Sequence, residues 1–90
     1  MQPIPNCLRR YRRIRGFSQK DVALIMGMKN SDAISKWEKG QTFPNMKNAF
    51  KLALAYRTLP FALYTDLLDS LKGEIQKGED ALAQEKKHHA

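Results

Sequence analysis

Ninety residues with 42% hydrophobic content are enough for one small domain and too few for two. One cysteine, Cys7, excludes an internal disulfide and a cysteine-built zinc site, and no apolar run nears the roughly 20 residues of a membrane span. The net charge of +7 is uneven: residues 1–45 hold nine Lys/Arg against three acids, residues 46–64 three Lys/Arg and no acid, residues 65–90 four Lys against six acids.

A basic body with a mildly acidic end fits a polyanionic partner. With nothing resembling a signal peptide, the expected compartment is the reducing cytoplasm. Met1 to Pro5 reads as an irregular leader, because two prolines in three residues discourage a helix. Asn6 is placed to cap a first helix over CLRRYRRIR, in which Leu8, Tyr11 and Ile14 form a narrow apolar stripe and five arginines fill the remainder. Gly16 ends it. The arginines form a solvated face from which one or two can reach phosphate, and Cys7 reads as a small apolar residue.

Ser18-Gln19-Lys20-Asp21 has the form of a capping box. The helix it opens turns Val22, Ala23 and Met26 inward and stops at Gly27. Leu24 and Ile25 fall on its outer side, where they either touch a later helix or form an exposed patch used in pairing. After a turn at Gly27-Met28-Lys29, Asn30 or Ser31 caps a third helix. Ile34 and Trp37 face its core side, and Ser31, Asp32, Ser35, Lys36 and Lys39 face outward.

Gln41 to Pro44 forms a loop with Phe43 expected in the core. Asn45 caps a fourth helix over Met46 to Tyr56, with Phe50, Ala53 and Leu54 as its apolar face, flanked by Ala49 or Tyr56. After a connector at Arg57-Thr58-Leu59, Pro60 suits the first position of a fifth helix carrying Phe61, Leu63, Tyr64, Leu67, Leu68, Leu71 and Ile75. Gly73 and Gly78 each weaken that helix by about 1 kcal/mol relative to alanine, so it is expected to fray between them. Residues 6–72 therefore read as the domain, and 73–90 as a charged, frayed or disordered extension.

The chain resembles the Cro and repressor type of helix-turn-helix DNA-binding domain over residues 8–64. The resemblance is carried by Leu8, Tyr11, Arg12, Gly16-Phe17-Ser18-Gln19, Val22-Ala23, Met26-Gly27, Ile34-Ser35-Lys36-Trp37-Glu38-Lys39-Gly40 and Pro44. It implies an all-α, five-helix bundle with the helix-turn-helix at helices 2 and 3. It further implies that Ser31, Asp32, Ser35 and Lys36 read base edges, and that Ser18, Gln19, Asn30, Lys39, Gln41 and Thr42 meet the phosphate backbone. Arg12 and Glu38 would form a structural ion pair. Between Gly27 and Ile34 there is one residue more than the family's usual spacing, so the turn around Met28-Lys29 is enlarged. Asp32 is a second departure, a carboxylate in the negative field of DNA; it either accepts from cytosine N4 or serves the helix dipole.

The implied function is a sequence-specific regulator that binds double-stranded DNA as a homodimer, paired through the fifth helix or the Leu24-Ile25 patch. The alternative is an antitoxin-like module whose segment from Gly78 onward orders on a protein partner. Catalysis is not expected: no nucleophile has a base at readable spacing, Asp66 and Asp69 are ordinary surface charges, and adjacent His88 and His89 cannot hold a metal geometry alone. No cofactor is implied.

Overall fold

Five α-helices and one 3-10 turn follow in chain order: α1 (Leu8–Ile14), α2 (Gln19–Ile25), α3 (Asp32–Glu38), α4 (Met46–Tyr56), the 3-10 turn (Pro60–Tyr64) and α5 (Thr65–His89). The computed structural model describes residues 2–89, the side chains of 88 and 89 excepted, and no strand occurs among them. Met1 of the expected leader, Ala90 of the expected extension and the imidazoles of His88 and His89 lie outside the described residues. The fold is all-α, as expected.

Polar side chains start α2 and α4 at the expected places, whereas α1 is bounded by Cys7, with Asn6 one residue before it. The Ser18 hydroxyl accepts from the Asp21 N–H at 3.0 Å, and the Ser18 N–H donates back to the Asp21 carboxylate at 2.8 Å, completing the capping box. Asn45 accepts from the Asn48 N–H at 2.8 Å to open α4. Four helix ends then repeat one motif, in which the second residue past the last turn bonds back across it: Phe17 to Arg12, Met28 to Ala23, Gln41 to Lys36 and Thr58 to Ala53. Each needs a left-handed residue, supplied by Gly16, Gly27, Gly40 and Arg57. Gly40 has a second reason to lack a side chain: a Cβ there would run into the backbone of Ile4, whose N–H donates to the Gly40 carbonyl at 2.8 Å. The leader is thereby strapped across the end of α3.

The core joins Leu8, Val22, Ala23, Met26, Ile34, Trp37, Leu52, Ala53, Tyr56 and Leu63. Fully burying each large aliphatic member contributes about 1.5–3 kcal/mol. Two of the expected apolar faces are corrected. In α1, Ile14 is 69% exposed, and Arg12 takes its place beside Leu8 and Tyr11. At about 100° per residue, Arg12 lies some 40° from Leu8, whereas Ile14 lies about 120° away. In α4 the buried side is Leu52, Ala53 and Tyr56, and Phe50 and Leu54 are exposed, because Ala49, Leu52, Ala53 and Tyr56 fall at i, i+3, i+4 and i+7 on one stripe.

The loop and the last helix also differ from expectation. Phe43 does not plug the core; it is 55% exposed and lies tilted against Tyr64, ring centres 5.7 Å apart, while Pro44 is buried. Leu24 and Ile25 are exposed rather than in contact with a later helix. Pro60 opens the 3-10 turn, and α5 follows directly. The expected fraying between Gly73 and Gly78 is absent. α5 continues unbroken to His89, because the residues around the two glycines are strong helix formers and Gln76 bonds Asp80 one turn on at 3.0 Å. Every residue from Asp69 to Lys87 is exposed, so most of α5 projects beyond the bundle and stretches the molecule to 58 Å.

One buried charge pair ties three helices. Arg12 donates from Nε to Glu38 Oε2 at 2.6 Å, from Nη2 to Oε1 at 3.1 Å, and from Nη1 to the Phe17 carbonyl at 2.9 Å. The Glu38 side chain is 1% exposed and also receives Gln19 Nε2 at 3.1 Å. From the other side, Asn6 Nδ2 meets the carbonyls of Trp37 and Glu38 at 3.3 Å, and its Oδ1 receives the Leu8 N–H at 3.1 Å. Burial by itself would raise the Glu38 carboxyl, but the hydrogen bonds from Arg12 and Gln19 and the charges of Arg12 and Arg9 outweigh it and hold it below its ordinary value.

Removing Arg12 strands a buried carboxylate, so Arg12→Ala is expected to cost about 3–5 kcal/mol in denaturant unfolding. Because the folded Glu38 carboxyl titrates below its unfolded value, the stability it contributes is complete above the ordinary carboxylate range and lost as pH falls through the depressed folded value. Circular dichroism at low pH is expected to show a shallower acid transition for Glu38→Gln. Tyr56 is the opposite case, since its buried hydroxyl has no partner and burial pushes it well above the ordinary phenol value. Tyr56→Phe removes a desolvated group and nothing else, so thermal melting is expected to show unchanged or raised stability, by up to about 1 kcal/mol.

Candidate nucleic-acid interface

The capping box at Ser18 decides which donors α2 presents. It consumes the Ser18 hydroxyl and N–H and the Asp21 N–H. The N–H groups of Gln19 and Lys20, at the first two helical positions, have no carbonyl within the helix to bond. They point out of a helix N-terminus, where an anion is favoured. The Gln19 side chain is held against Glu38, which fixes the amide at the junction of α2 and α3.

The enlarged turn between α2 and α3 is anchored at one end and open at the other. The Met28 N–H bonds the Ala23 carbonyl at 2.8 Å, and its side chain packs on the core. Lys29 and Asn30 are exposed. Asn30 and Ser31 divide the cap between them. Ser31 is the boundary residue but makes no side-chain cap bond, while Asn30 Oδ1 accepts the Asp32 N–H at 3.0 Å. The extra residue is absorbed before the helix, and α3 begins at Asp32.

The outward side of α3 is polar along its length. Asp32, Ser35, Lys36 and Lys39 fall within an arc of about 100° at 3.6 residues per turn, opposite the buried Ile34 and Trp37. Asp32, Lys36 and Lys39 are exposed, and Ser31 and Ser35 are half-buried at the edge of this face. Gln41 and Thr42 are exposed just past its end. Of the residues expected at an interface, these share one side of α3 and its flanking loop, whereas Ser18 and Gln19 are engaged in holding the frame.

The basic groove beside this face was not assigned from sequence. A concavity of about 590 Å³ lies between the start of α1 and the end of α3, lined by Asn6, Arg9, Arg10, Arg13 and Lys39, with Glu38 at its floor. Arg9 Nε stands 3.6 Å from Glu38 Oε1 with its side chain more than half exposed. The signal available in the sequence was the i, i+4 pair Arg9 and Arg13, but it becomes legible only when Asn6 binds the α3 carbonyls and sets α1 beside Lys39. Among the described residues, no group of three His, Cys, Asp or Glu could hold a metal ion, and no helix is long and apolar enough to cross a membrane.

A family model described as helix-turn-helix matches residues 8–63, more than half of the chain. No curated relative and no solved structure matches it. The matched span runs from the first residue of α1 into the 3-10 turn, the whole body that fixes α2 against α3 and turns the polar side of α3 outward. The chain belongs to the helix-turn-helix family of DNA-binding domains, of the Cro and repressor type.

Proposed function

We propose that the protein is a sequence-specific transcriptional regulator, acting in the cytoplasm as a dimer and reading the major groove with α3. The observation that carries this reading is the outward face of α3, where Asp32, Lys36 and Lys39 are exposed and Ser35 lies at the edge, on a helix whose other side is locked into the core. Lys36 can donate to guanine O6 and N7. Ser31 and Ser35 can bond either base, and Asp32 can accept from cytosine N4. Lys39, Gln41, Thr42 and Asn30 lie around that face, where the phosphate backbone would pass. Ser18 and Gln19 serve it through their own ends of α2: Ser18 caps the helix, and the free N–H groups of Gln19 and Lys20 take the phosphate. Arg9 and Arg13 extend the positive surface beyond the expected set.

A single copy touches too few bases for useful specificity, and two copies address half-sites about 34 Å apart. The exposed apolar residues of α5 favour pairing by that helix, and the same exposure supports the second reading, in which α5 binds a different protein.

Selection of bound duplexes from a random pool, followed by anisotropy on the selected site, tests the assignment. With about 3–5 phosphates contacted per copy, log K is expected to fall against log salt with a slope of about −3 to −4.5 per copy. A salt-independent affinity rules out the proposed interface. Within the same assay, Lys36→Ala is expected to relax the preference at one or two base pairs by about 1–3 kcal/mol, whereas Lys39→Ala weakens all sequences alike and lowers the salt slope by about 1.

A further inference from the structure

The projecting part of α5 carries a stripe that the bundle does not use. Leu68, Leu71, Ile75, Gly78 and Leu82 recur at alternating spacings of three and four, within an arc of about 80° at 100° per residue. Leu68 is half-buried where α5 leaves the bundle, but Leu71, Ile75 and Leu82 are exposed, Ile75 by 64%. The stripe begins in an apolar groove of about 290 Å³, lined by Phe43, Ala49, Phe61 and Tyr64 together with Leu68 and Leu71. One flank of the stripe carries Lys72, Glu79 and Lys86, and the other carries Glu74 and Ala81.

We propose that α5 pairs with α5 of a second copy, antiparallel, with Leu71 against the partner's Leu82 and Ile75 seated on the partner's Gly78. This deepens the dimeric reading above and rests on it. Charge selects this arrangement over its competitors. In the antiparallel register given, Lys72 faces the partner's Glu79, twice by symmetry. Sliding one heptad away from the bundles brings Glu79 onto the partner's Glu79 and Lys72 onto the partner's Lys86, and sliding one heptad toward them brings Lys72 onto the partner's Lys72. A parallel pair instead sets Glu74 against the partner's Glu79, twice, and leaves Gly78 facing the partner's Gly78 with nothing to fill the gap.

Shape agrees with charge. A glycine opposite the β-branched residue of the stripe lets the two helices approach closely, which accounts for Gly78 at a position where leucine would otherwise be expected. The same register lays the partner's Leu82 across Leu71 at the mouth of the apolar groove, covering part of it. It also fixes spacing: the two α5 starts stand 23 helical residues apart along the shared axis, about 34 Å at 1.5 Å per residue.

Sedimentation equilibrium of the full chain, read alongside binding to a single half-site, tests the pairing. The wild-type chain is expected to dimerise, and Glu79→Lys, which sets lysine against lysine in this register, to weaken the dimer by roughly five- to tenfold. The double variant Lys72→Glu with Glu79→Lys is expected to restore it. Because these residues are exposed and far from α3, half-site affinity of the monomer stays unchanged in all three. In a Cys7→Ser background, oxidation of a mixture of Leu71→Cys and Leu82→Cys chains is expected to yield crosslinked heterodimers. A parallel pair gives the opposite results: Glu79→Lys tightens the dimer, and Leu71→Cys crosslinks to itself. Either result overturns the proposal, as does a wild-type chain that remains monomeric, including one whose α5 is protected only by a different co-purifying protein. Loss of half-site binding with dimerisation intact would instead overturn the DNA-reading role and leave the pairing standing.

Discussion

The Arg12–Glu38 pair is the constraint on which the remaining geometry depends. Three helices that share the core are held in one orientation because a single guanidinium spends its donors on the α3 carboxylate and on the carbonyl leading into α2. A carboxylate this buried is tolerable only when its lone pairs are taken, and Arg12, Gln19 and the approach of Arg9 take them. The consequence reaches the surface. The rotation of α3 about its own axis, and hence which side chains face outward, is set by where Glu38 is pinned, one turn from Ser35 and beside Lys39.

Gln19 shows how one residue can stand between frame and function. The family resemblance points its amide at phosphate, yet its Nε2 bonds Glu38 and the phosphate-facing donors become the backbone N–H groups of α2. Asn6 has a similar double position. Its Oδ1 accepts the first N–H of α1, while its Nδ2 fastens α1 to the carbonyls at the end of α3, and this second bond brings Arg9 and Arg13 into the groove beside Lys39. Backbone strapping completes the arrangement, since the leader lies on Gly40 only because that residue has no side chain.

Half of the large apolar residues that miss the core lie in α5 or near its start. Phe43, Phe50 and Phe61 are exposed near the start of α5, and Leu71, Ile75 and Leu82 continue along it. A small bundle built largely of two-turn helices has too little interior to take them. The projecting helix is thus apolar along one stripe, and the flank of Lys72, Glu79 and Lys86 alternates in sign, so α5 and the basic groove suit partners of different chemistry.

Much was legible in the sequence because it depends on local rules. Caps at Ser18 and Asn45, glycine endings at Gly16, Gly27 and Gly40, and the run Ile34 to Gly40 act within one helical turn, and they led to the number of helices, their order and the family. Faces were less legible wherever an apolar residue had a charged or equally apolar rival. A short helix offers only two turns of periodicity, so Ile14 seemed a better core residue than Arg12 until a buried carboxylate 26 residues away gave the arginine its partner. Phe50 and Leu52 in α4 posed the same choice, which the position of α4 against the other helices decided. The continuity of α5 was a matter of weighing two glycines against the helix formers around them. The sequence by itself determined the first four helices, their C-terminal ends and the DNA-binding family, since these follow from backbone hydrogen bonding over short range. Only the tertiary structure decided which side of each helix is buried, where Gln19 points and which arginines join Lys39, because those depend on charges and surfaces that meet across the fold.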